Sequence, residues 1–166
     1  MKTAIELEKE KNNKKSVMTL ADAYGEDERS FTVCFVCTGN TCRSPMAEAY
    51  MKSLGYGNTF SRGLHAFDGS PMSRLAQLTL DGEGIEVPDH RAHNVDEGDM
   101  ARADAVYAMT SRHATELLLS YPHYAEKIHV MPHEIPDPYG GDLDTYKKAF
   151  VEIKSSIVEI VGKGSI

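Results

Sequence analysis

The sequence contains no tryptophan, only three cysteines and no apolar run that approaches the length of a membrane span. A helix needs about 20 apolar residues to cross a bilayer, and apolar runs such as residues 33–37 and 117–119 are far shorter. Residues 1–15 are rich in charge and carry no hydrophobic segment of the kind found in secretory signals. We therefore expect a cytoplasmic protein without a membrane partner.

Positive charge is also in short supply. Eighteen lysines and arginines face 25 aspartates and glutamates, which gives a formal net charge of −7. A surface that binds the nucleic-acid backbone is usually rich in lysine and arginine. The composition therefore argues against a nucleic-acid partner, and any phosphate site must be local.

The three cysteines, Cys34, Cys37 and Cys42, are clustered within nine residues. Such a cluster cannot link distant parts of a fold, as the disulfides of small secreted proteins do. A zinc site at Cys34 and Cys37 would need a second pair of ligands at a suitable spacing, which the sequence lacks. We expect Cys34 to be a core residue, and we expect no metal and no cofactor.

Two regions differ in composition. Residues 1–30 contain a mixed-charge run at 6–15 and an acidic stretch at 25–29, which predicts an N-terminal extension. Apolar residues recur at helical spacing behind Ser16, so the extension is either a solvated tail or a short helix that docks on the domain or on a partner. Residues 31–166 have the length and composition of one globular domain.

Short apolar runs alternate with helical patterns along this domain, which is typical of an α/β fold with a parallel sheet. We predict four strands, at residues 31–37, 58–62, 104–109 and 127–131. Helices are predicted from Ser44 to the residue before Gly55, over residues 71–82 and 111–119, and from Asp142 to the end of the apolar stripe at Ile160. Residues 132–141, rich in proline and glycine, form a loop.

The segment between the first strand and the first helix is the most informative. Cys37 and Arg43 are separated by five residues that include Gly39 and Asn40, both tolerant of unusual backbone angles. Such a loop can point successive amides at one centre beside a helix N-terminus and bind a tetrahedral oxyanion. Arg43 supplies a planar fork for two phosphate oxygens. These positive groups favour a thiolate at Cys37, ready for in-line attack on phosphorus.

Displacement of an alcohol or phenol also requires a proton donor on the opposite side of the phosphate. Asp137 lies between two prolines in the predicted loop, so its carboxyl group is held on a stiff segment. It can protonate the leaving group and then take a proton from the water that opens the phosphocysteine. Asp137 is therefore the candidate acid and base.

Two segments, Val36 to Glu48 and Asp137 to Tyr139, resemble the low-molecular-weight protein tyrosine phosphatase family. The resemblance covers about residues 31–163. It implies an α/β fold with a four-stranded parallel sheet, helices on both faces, and a phosphate-binding loop between the first strand and the first helix. The implied activity is hydrolysis of protein phosphotyrosine through a phosphocysteine intermediate, with phosphorylated proteins as partners.

Carried over position by position, the resemblance makes Cys37 the nucleophile, Arg43 the phosphate clamp and Asp137 the acid and base. Asn40 and Ser44 hold the loop and hydrogen-bond the thiolate, and His90 braces the loop asparagine. Tyr139 forms an aromatic wall for the substrate, and Cys42 is a thiol that can form a reversible disulfide with Cys37. The full set of predicted loop residues is Thr38, Gly39, Asn40, Thr41, Cys42 and Ser44.

The substrate stays open between two phosphoamino acids. Thr41 stands where the family's tyrosine phosphatases usually have an aliphatic residue, and Gly140 where a second aromatic is frequent. Thr41 and the segments 108–110 and 137–141 resemble a bacterial branch that includes protein arginine phosphatases. We place phosphotyrosine first and phosphoarginine second.

Three other functions are compatible with parts of the pattern. Thioredoxin-coupled arsenate reductases share the loop, but they need further cysteines downstream, and this sequence has none after Cys42. A sugar-transport subunit that carries a phosphocysteine would not need Asp137. A silent phosphopeptide-binding module with residues 1–30 as docking arm would not need every catalytic position filled.

Overall fold

The computed structural model describes residues 3, 4 and 30–162 of the chain. Its sheet has four parallel strands, as predicted, and their order is β2-β1-β3-β4. Each predicted strand begins one or two residues too early. The strands are β1 Val33–Cys37, β2 Thr59–Gly63, β3 Ala105–Ala108 and β4 Ile128–Val130. The predicted helix of the extension lies outside the described residues.

Five α-helices connect and flank these strands within residues 30–162. They are α1 Arg43–Ser53, α2 Arg74–Gly82, α3 Glu97–Arg102, α4 Ser111–Ser120 and α5 Leu143–Val161, with a 3-10 helix at Pro122–Lys127. The predicted start of α2 at Pro71 is wrong, because the Ser73 side chain accepts a hydrogen bond from the Ala76 amide and caps the helix there. Neither α3 nor the 3-10 helix was predicted.

Strand β1 is buried on both faces, and its side chains alternate between two cores. On one side Val33 and Phe35 join a cluster with α1, α2 and α5. On the other side Cys34 and Val36 pack with α3 and α4. The predicted placement of helices on both faces of the sheet is therefore confirmed, and Cys34 lies in the core.

The sheet order brings three loops to one edge. Because the strands are parallel, their carboxyl ends lie together, and the connections after β1 and β3 lead to opposite neighbours. The loop from Cys37 to Arg43, the start of α4 after β3, and the loop after β4 with Asp137 all leave from this edge. In open parallel sheets, such a reversal of strand order is where ligands bind. No helix in the described part of the chain is long and apolar enough to cross a bilayer.

Candidate active site

The 37–43 loop joins the end of β1 to the start of α1. Asn40, fully buried, adopts a positive φ of 55°, a left-handed conformation that asparagine tolerates better than most residues. Among the described residues, none accepts a hydrogen bond from the backbone amides of residues 39–42. These amides lie beside the N-terminus of α1, so they are available to an anion.

A chain of hydrogen bonds runs from Asn40 to the Cys37 thiol. Asn40 Nδ2 donates to Ser44 Oγ at 2.8 Å and to Ser61 Oγ at 3.0 Å. Ser44 accepts from the amide, and its one hydroxyl hydrogen has two acceptors in reach, Cys37 Sγ at 2.9 Å and the Arg62 carbonyl oxygen at 3.4 Å. A hydroxyl donor at this distance stabilises negative charge on the sulfur.

The backbone around Asn40 is braced from the segment before α3. His90 Nε2 lies 2.6 Å from the Asn40 carbonyl oxygen, and the His93 amide donates to Asn40 Oδ1 at 3.0 Å. His90 thus contacts Asn40, as the resemblance implies, and the contact is with the main-chain carbonyl oxygen of Asn40. These bonds offset the cost of the left-handed backbone.

Arg43 is 5% exposed and reaches from the start of α1 towards the loop after β4. Its Nη1 donates to the Ile135 carbonyl oxygen at 3.1 Å, and its Nη2 lies 3.8 Å from Asp137 Oδ2. The remaining guanidinium hydrogens stay available for a phosphate. Arg43 therefore joins the 37–43 loop to the segment that carries Asp137.

The loop around Asp137 presents two predicted residues to solvent. The side chain of Asp137 is 58% exposed, and Asp137 Oδ1 accepts a hydrogen bond from the Tyr139 amide at 3.1 Å, a turn that fixes one residue relative to the other. Tyr139 is 80% exposed. An exposed ring beside a carboxyl group suits contact with a ligand more than core packing.

A cavity of about 210 Å³ brings most of the predicted residues together. Asn40, Ser44 and His90 support its floor through the bonds described above. The residues that line the cavity are Cys37, Thr38, Gly39, Thr41, Cys42, Arg43, Asp137 and Tyr139. A larger groove of about 300 Å³ lies elsewhere, between α1 and residues 85–88, and contains none of them.

Cys42 lines the same cavity and has polar partners of its own. Its Sγ is 3.3 Å from the Tyr146 hydroxyl and 3.4 Å from Ser73 Oγ. Burial is the main cause that raises the pKa of Tyr146 to about 12, and the hydrogen bond with Cys42 is the second, so the tyrosine stays protonated. Cys37 and Cys42 are both free thiols. Burial raises the pKa of Cys34 far above its usual value, which makes this thiol inert.

Three residues that support the site, and one on a neighbouring segment, were not predicted from the sequence. Ser61 anchors Asn40 from β2, and its only signal is a polar residue at an inward position of that strand. At Gly63 an added Cβ would lie 2.7 Å from the Thr38 carbonyl oxygen, so glycine is required for the close approach of β2. Phe67 and His113 are the other two.

Phe67 is 84% exposed and lies on the segment 64–73 between β2 and α2. Both ends of this segment are tied to the 37–43 loop. The His65 amide donates to the Thr38 carbonyl at 2.9 Å, and the Ser73 amide donates to the Thr41 carbonyl at 2.9 Å. The segment thus carries a second exposed aromatic side chain beside the loop.

His113 of α4 makes a polar contact with the first residue after Cys37. Its Nε2 lies 2.8 Å from Thr38 Oγ1, and its Nδ1 lies 2.9 Å from Thr110 Oγ1. Burial and the positive charge of Arg43 lower the pKa of His113 to about 4, so the ring is neutral at neutral pH. No group of three potential metal-ligating side chains occurs among residues 30–162.

Comparison with known proteins agrees with this geometry. The family model described as "Low molecular weight phosphotyrosine protein phosphatase" matches residues 32–163. A protein-arginine-phosphatase from Geobacillus stearothermophilus is 34% identical, over 80% of this chain and 95% of its own. A low molecular weight protein-tyrosine-phosphatase, PtpB, from Staphylococcus haemolyticus is 33% identical, over 73% of this chain and 91% of its own.

A solved structure gives the same result for the fold. The low molecular weight protein tyrosine phosphatase from T. tengcongensis is 41% identical and superposes with a TM-score of 0.74, over 80% of this chain and 98% of its own. The matched region contains the sheet, the 37–43 loop and the loop with Asp137. The chain therefore belongs to the low molecular weight phosphotyrosine protein phosphatase family.

Proposed function

We propose that this protein hydrolyses phosphotyrosine in phosphorylated proteins through a covalent phosphocysteine at Cys37. The observation that carries the proposal is the convergence of Cys37, Arg43 and Asp137 on one cavity beside four unused backbone amides. Such amides and the guanidinium group stabilise the charge on the three outer phosphoryl oxygens in the transition state. We place the reaction in the cytoplasm.

In the first step the Cys37 thiolate attacks phosphorus, an S–P bond forms and the bond from phosphorus to the tyrosine oxygen breaks. Asp137 gives its proton to the departing oxygen, which leaves as a phenol. The hydroxyl of Ser44, 2.9 Å from the sulfur, stabilises the thiolate before attack and after its release.

In the second step a water molecule attacks phosphorus, and the Asp137 carboxylate takes its proton. The S–P bond breaks, inorganic phosphate leaves and the thiolate returns. Asp137 thus acts once as acid and once as base, as an exposed carboxyl group 3.8 Å from Arg43 can do.

Kinetics with p-nitrophenyl phosphate and a phosphotyrosine peptide test this mechanism. Cys37→Ser should abolish turnover, and Asp137→Asn should lower kcat for the peptide by a factor of about 10² to 10⁴. Asp144→Asn is the matched control, because Asp144 is an exposed carboxylate in the first turn of α5. With a radiolabelled substrate, the acid-quenched parent enzyme should carry a phosphoryl group that Cys37→Ala lacks, because alanine has no nucleophilic side-chain atom. Equal activity of the two aspartate variants would refute the role of Asp137.

Phosphoarginine is the second candidate substrate, and Thr41 is the residue that favours it. Thr41 lines the cavity, and its hydroxyl group suits a polar guanidinium, whereas an aliphatic side chain suits an aromatic ring. Parallel kinetics on phosphoarginine and phosphotyrosine peptides, with the parent and Thr41→Ile, decide the matter. A shift of the ratio towards phosphotyrosine in Thr41→Ile assigns Thr41 this role, and an unchanged ratio removes it.

Residues 1–30 remain a proposed docking arm for a partner or for the domain itself. If they dock phosphorylated proteins, their deletion should raise KM for a phosphoprotein and leave kcat/KM for p-nitrophenyl phosphate unchanged. An increase in activity on the small substrate would instead indicate that the arm covers the site. If the deletion leaves the kinetics on the phosphoprotein and on p-nitrophenyl phosphate unchanged, docking of partners and docking on the domain are both excluded.

A further inference from the structure

The hydrogen-bond network of His113 orients the Thr38 hydroxyl group at the active-site cavity. Thr110 Oγ1 accepts from the His113 backbone amide at 3.3 Å, as the cap of α4. The same hydroxyl oxygen lies 2.9 Å from His113 Nδ1. Because the neutral ring carries one hydrogen, one ring nitrogen donates and the other accepts, so Nε2 either donates to Thr38 Oγ1, 2.8 Å away, or accepts from it.

In either arrangement His113 uses one hydrogen-bonding position of the Thr38 hydroxyl. The Thr38 hydroxyl keeps a lone pair for a ligand in both arrangements, and it also keeps its hydrogen where Nε2 is the donor. Thr38 itself is exposed and lines the cavity next to Cys37, whereas His113 is 6% exposed. The imidazole fixes the orientation of a polar group that a ligand can reach.

The two substrates make different use of this hydroxyl group. Its hydrogen can bond a phosphoryl oxygen of either substrate. Its lone pair needs an N–H donor, which the guanidinium group of phosphoarginine supplies and the aromatic ring of phosphotyrosine does not. A site that pairs with an N–H discriminates against a substrate lacking one.

We propose that the Thr38 hydroxyl, positioned by His113, is a substrate contact that equips the site for a guanidinium leaving group as well as an aryl one. The proposal rests on the phosphocysteine mechanism above and extends its substrate class. It is independent of Thr41, whose hydroxyl contacts Cys42 Sγ at 3.7 Å and takes no part in this network.

The test measures kcat/KM for a phosphoarginine peptide and a phosphotyrosine peptide of the same sequence. Thr38→Val removes the hydroxyl at nearly constant shape and should lower the ratio of phosphoarginine to phosphotyrosine about tenfold, the value of one hydrogen bond to a charged group. Thr38→Ser retains the hydroxyl and should keep the ratio within about threefold of the parent. A ratio that Thr38→Val leaves unchanged overturns the proposal.

His113 is tested through Thr38, because a positioning residue acts only when its target is present. His113→Leu should lower the same ratio severalfold, and His113→Gln, whose amide can donate near the position of Nε2, should restore part of it. In the Thr38→Val background, His113→Leu should change the ratio no further. A further change there would assign His113 an effect of its own and refute positioning.

Two controls keep the outcomes separate. Thermal unfolding shows whether each variant is folded. If His113→Leu does not fold, two comparisons still test the proposal: Thr38→Val with Thr38→Ser, and His113→Gln with the parent. If the parent hydrolyses neither peptide, the proposed function fails. If it hydrolyses them with a ratio insensitive to Thr38, only the further inference fails.

Discussion

At the scale of single residues, Ser44 places a hydroxyl group 2.9 Å from the Cys37 sulfur, where it can stabilise negative charge. The Asn40 amide occupies an acceptor site of Ser44, and the Ser44 hydroxyl hydrogen can bond Cys37 Sγ at 2.9 Å, closer than its other acceptor, the Arg62 carbonyl oxygen at 3.4 Å. The side chains of Ser44 and Cys37 are both buried, and a hydrogen bond to a charged group is stronger in such surroundings than in water. These hydrogen bonds predict that Ser44 favours the thiolate form of Cys37.

Ser44→Ala should therefore slow catalysis and alkylation together. Loss of one hydrogen bond to a charged group, about 1.5–3 kcal/mol, corresponds to a decrease of roughly 10-fold to 150-fold in kcat. The rate of iodoacetamide modification of Cys37 at pH 6 should fall as well. Ser53→Ala, at the far end of the same helix, is the control. Unchanged alkylation at pH 6 would contradict the assignment.

Phe67 and Tyr139 are expected to contribute to binding of the substrate ring. Both aromatic side chains are largely exposed, Tyr139 on the wall of the cavity and Phe67 on a segment tied to the 37–43 loop. Burial of an aromatic side chain contributes about 1.5 kcal/mol or more. Phe67→Ala and Tyr139→Ala should each raise KM for a phosphotyrosine peptide about tenfold. Leu119→Ala, another exposed apolar side chain on α4, should leave KM unchanged, and an equal effect there would refute specific binding.

At the scale of elements, the end of β2 sets the position of the 37–43 loop. Gly63 pairs with Cys37, and the amides of Leu64 and His65 donate to the carbonyl oxygens of Cys37 and Thr38. A Cβ at Gly63 would lie 2.7 Å from the Thr38 carbonyl oxygen and 3.1 Å from Asn40 Cβ. A side chain there must push the backbone of the loop away from β2.

Gly63→Ala should therefore lower both stability and activity. We expect a loss of about 1–3 kcal/mol in the free energy of unfolding and a decrease in kcat/KM, since the loop amides shift with the backbone. Gly57→Ala is the control, because an added Cβ meets no atom within 4 Å there. Urea denaturation and peptide kinetics on the two variants make the comparison. Equal behaviour would contradict a steric requirement at Gly63.

The elements with a clear period or motif were predictable, and the short ones were not. β1 is a continuous apolar run, and α5 carries an apolar stripe over 19 residues, so both stand out. Helix α3 has only six residues, fewer than two turns, and such a length shows no period. Its capping box between Asp96 and Asp99 is the one local signal.

The residues of the site also fall into those that the sequence predicts and those that it does not. The residues from Cys37 to Ser44 are contiguous, so their spacing alone predicts that they act together. The contacts of Asn40 with Ser61 and of Thr38 with His113 join residues 21 and 75 positions apart. Without the folded chain, nothing in the sequence links such partners. Sequence therefore predicts the chemistry of the loop, and the fold supplies the residues that hold it.

At the scale of the whole molecule, the loop with Asp137 is fastened to the rest of the site by its neighbours. The Ile135 amide donates to the Met109 carbonyl at 2.9 Å, and the Ile135 carbonyl accepts from Arg43 at 3.1 Å. Glu134 accepts from the Ser111 hydroxyl at 2.7 Å, and hydrogen bonds from Ser111 lower the pKa of Glu134. The end of β3 and the starts of α1 and α4 thereby hold the loop that carries Asp137 beside the cavity that Cys37 also lines.

Buried histidines couple the stability of this assembly to pH. Burial and the charges of Arg43 and Arg112 lower the pKa of His113 from 6.5 to about 4, against the opposing charges of Glu116 and Asp137. The unfolded chain therefore binds a proton that the folded chain does not between these values. Stability from the neutral ring is fully present above pH 6.5 and is lost as the pH falls towards 4.

His113→Gln should therefore reduce the acid sensitivity of folding. The change in pKa from 6.5 to about 4 corresponds, after solvent screening, to between about 1 and 3 kcal/mol of stability lost from pH 7.5 to pH 4.5. Burial lowers the pKa of His129 as well, so part of the acid loss should persist in His113→Gln. The exposed His123 provides the control variant His123→Gln. If urea midpoints show the same acid loss in both variants, His113 is not the neutral buried group that the pKa implies. If only His113→Gln flattens the profile, the imidazole beside Thr38 is uncharged in the working enzyme, and its single hydrogen must serve either Thr110 or Thr38.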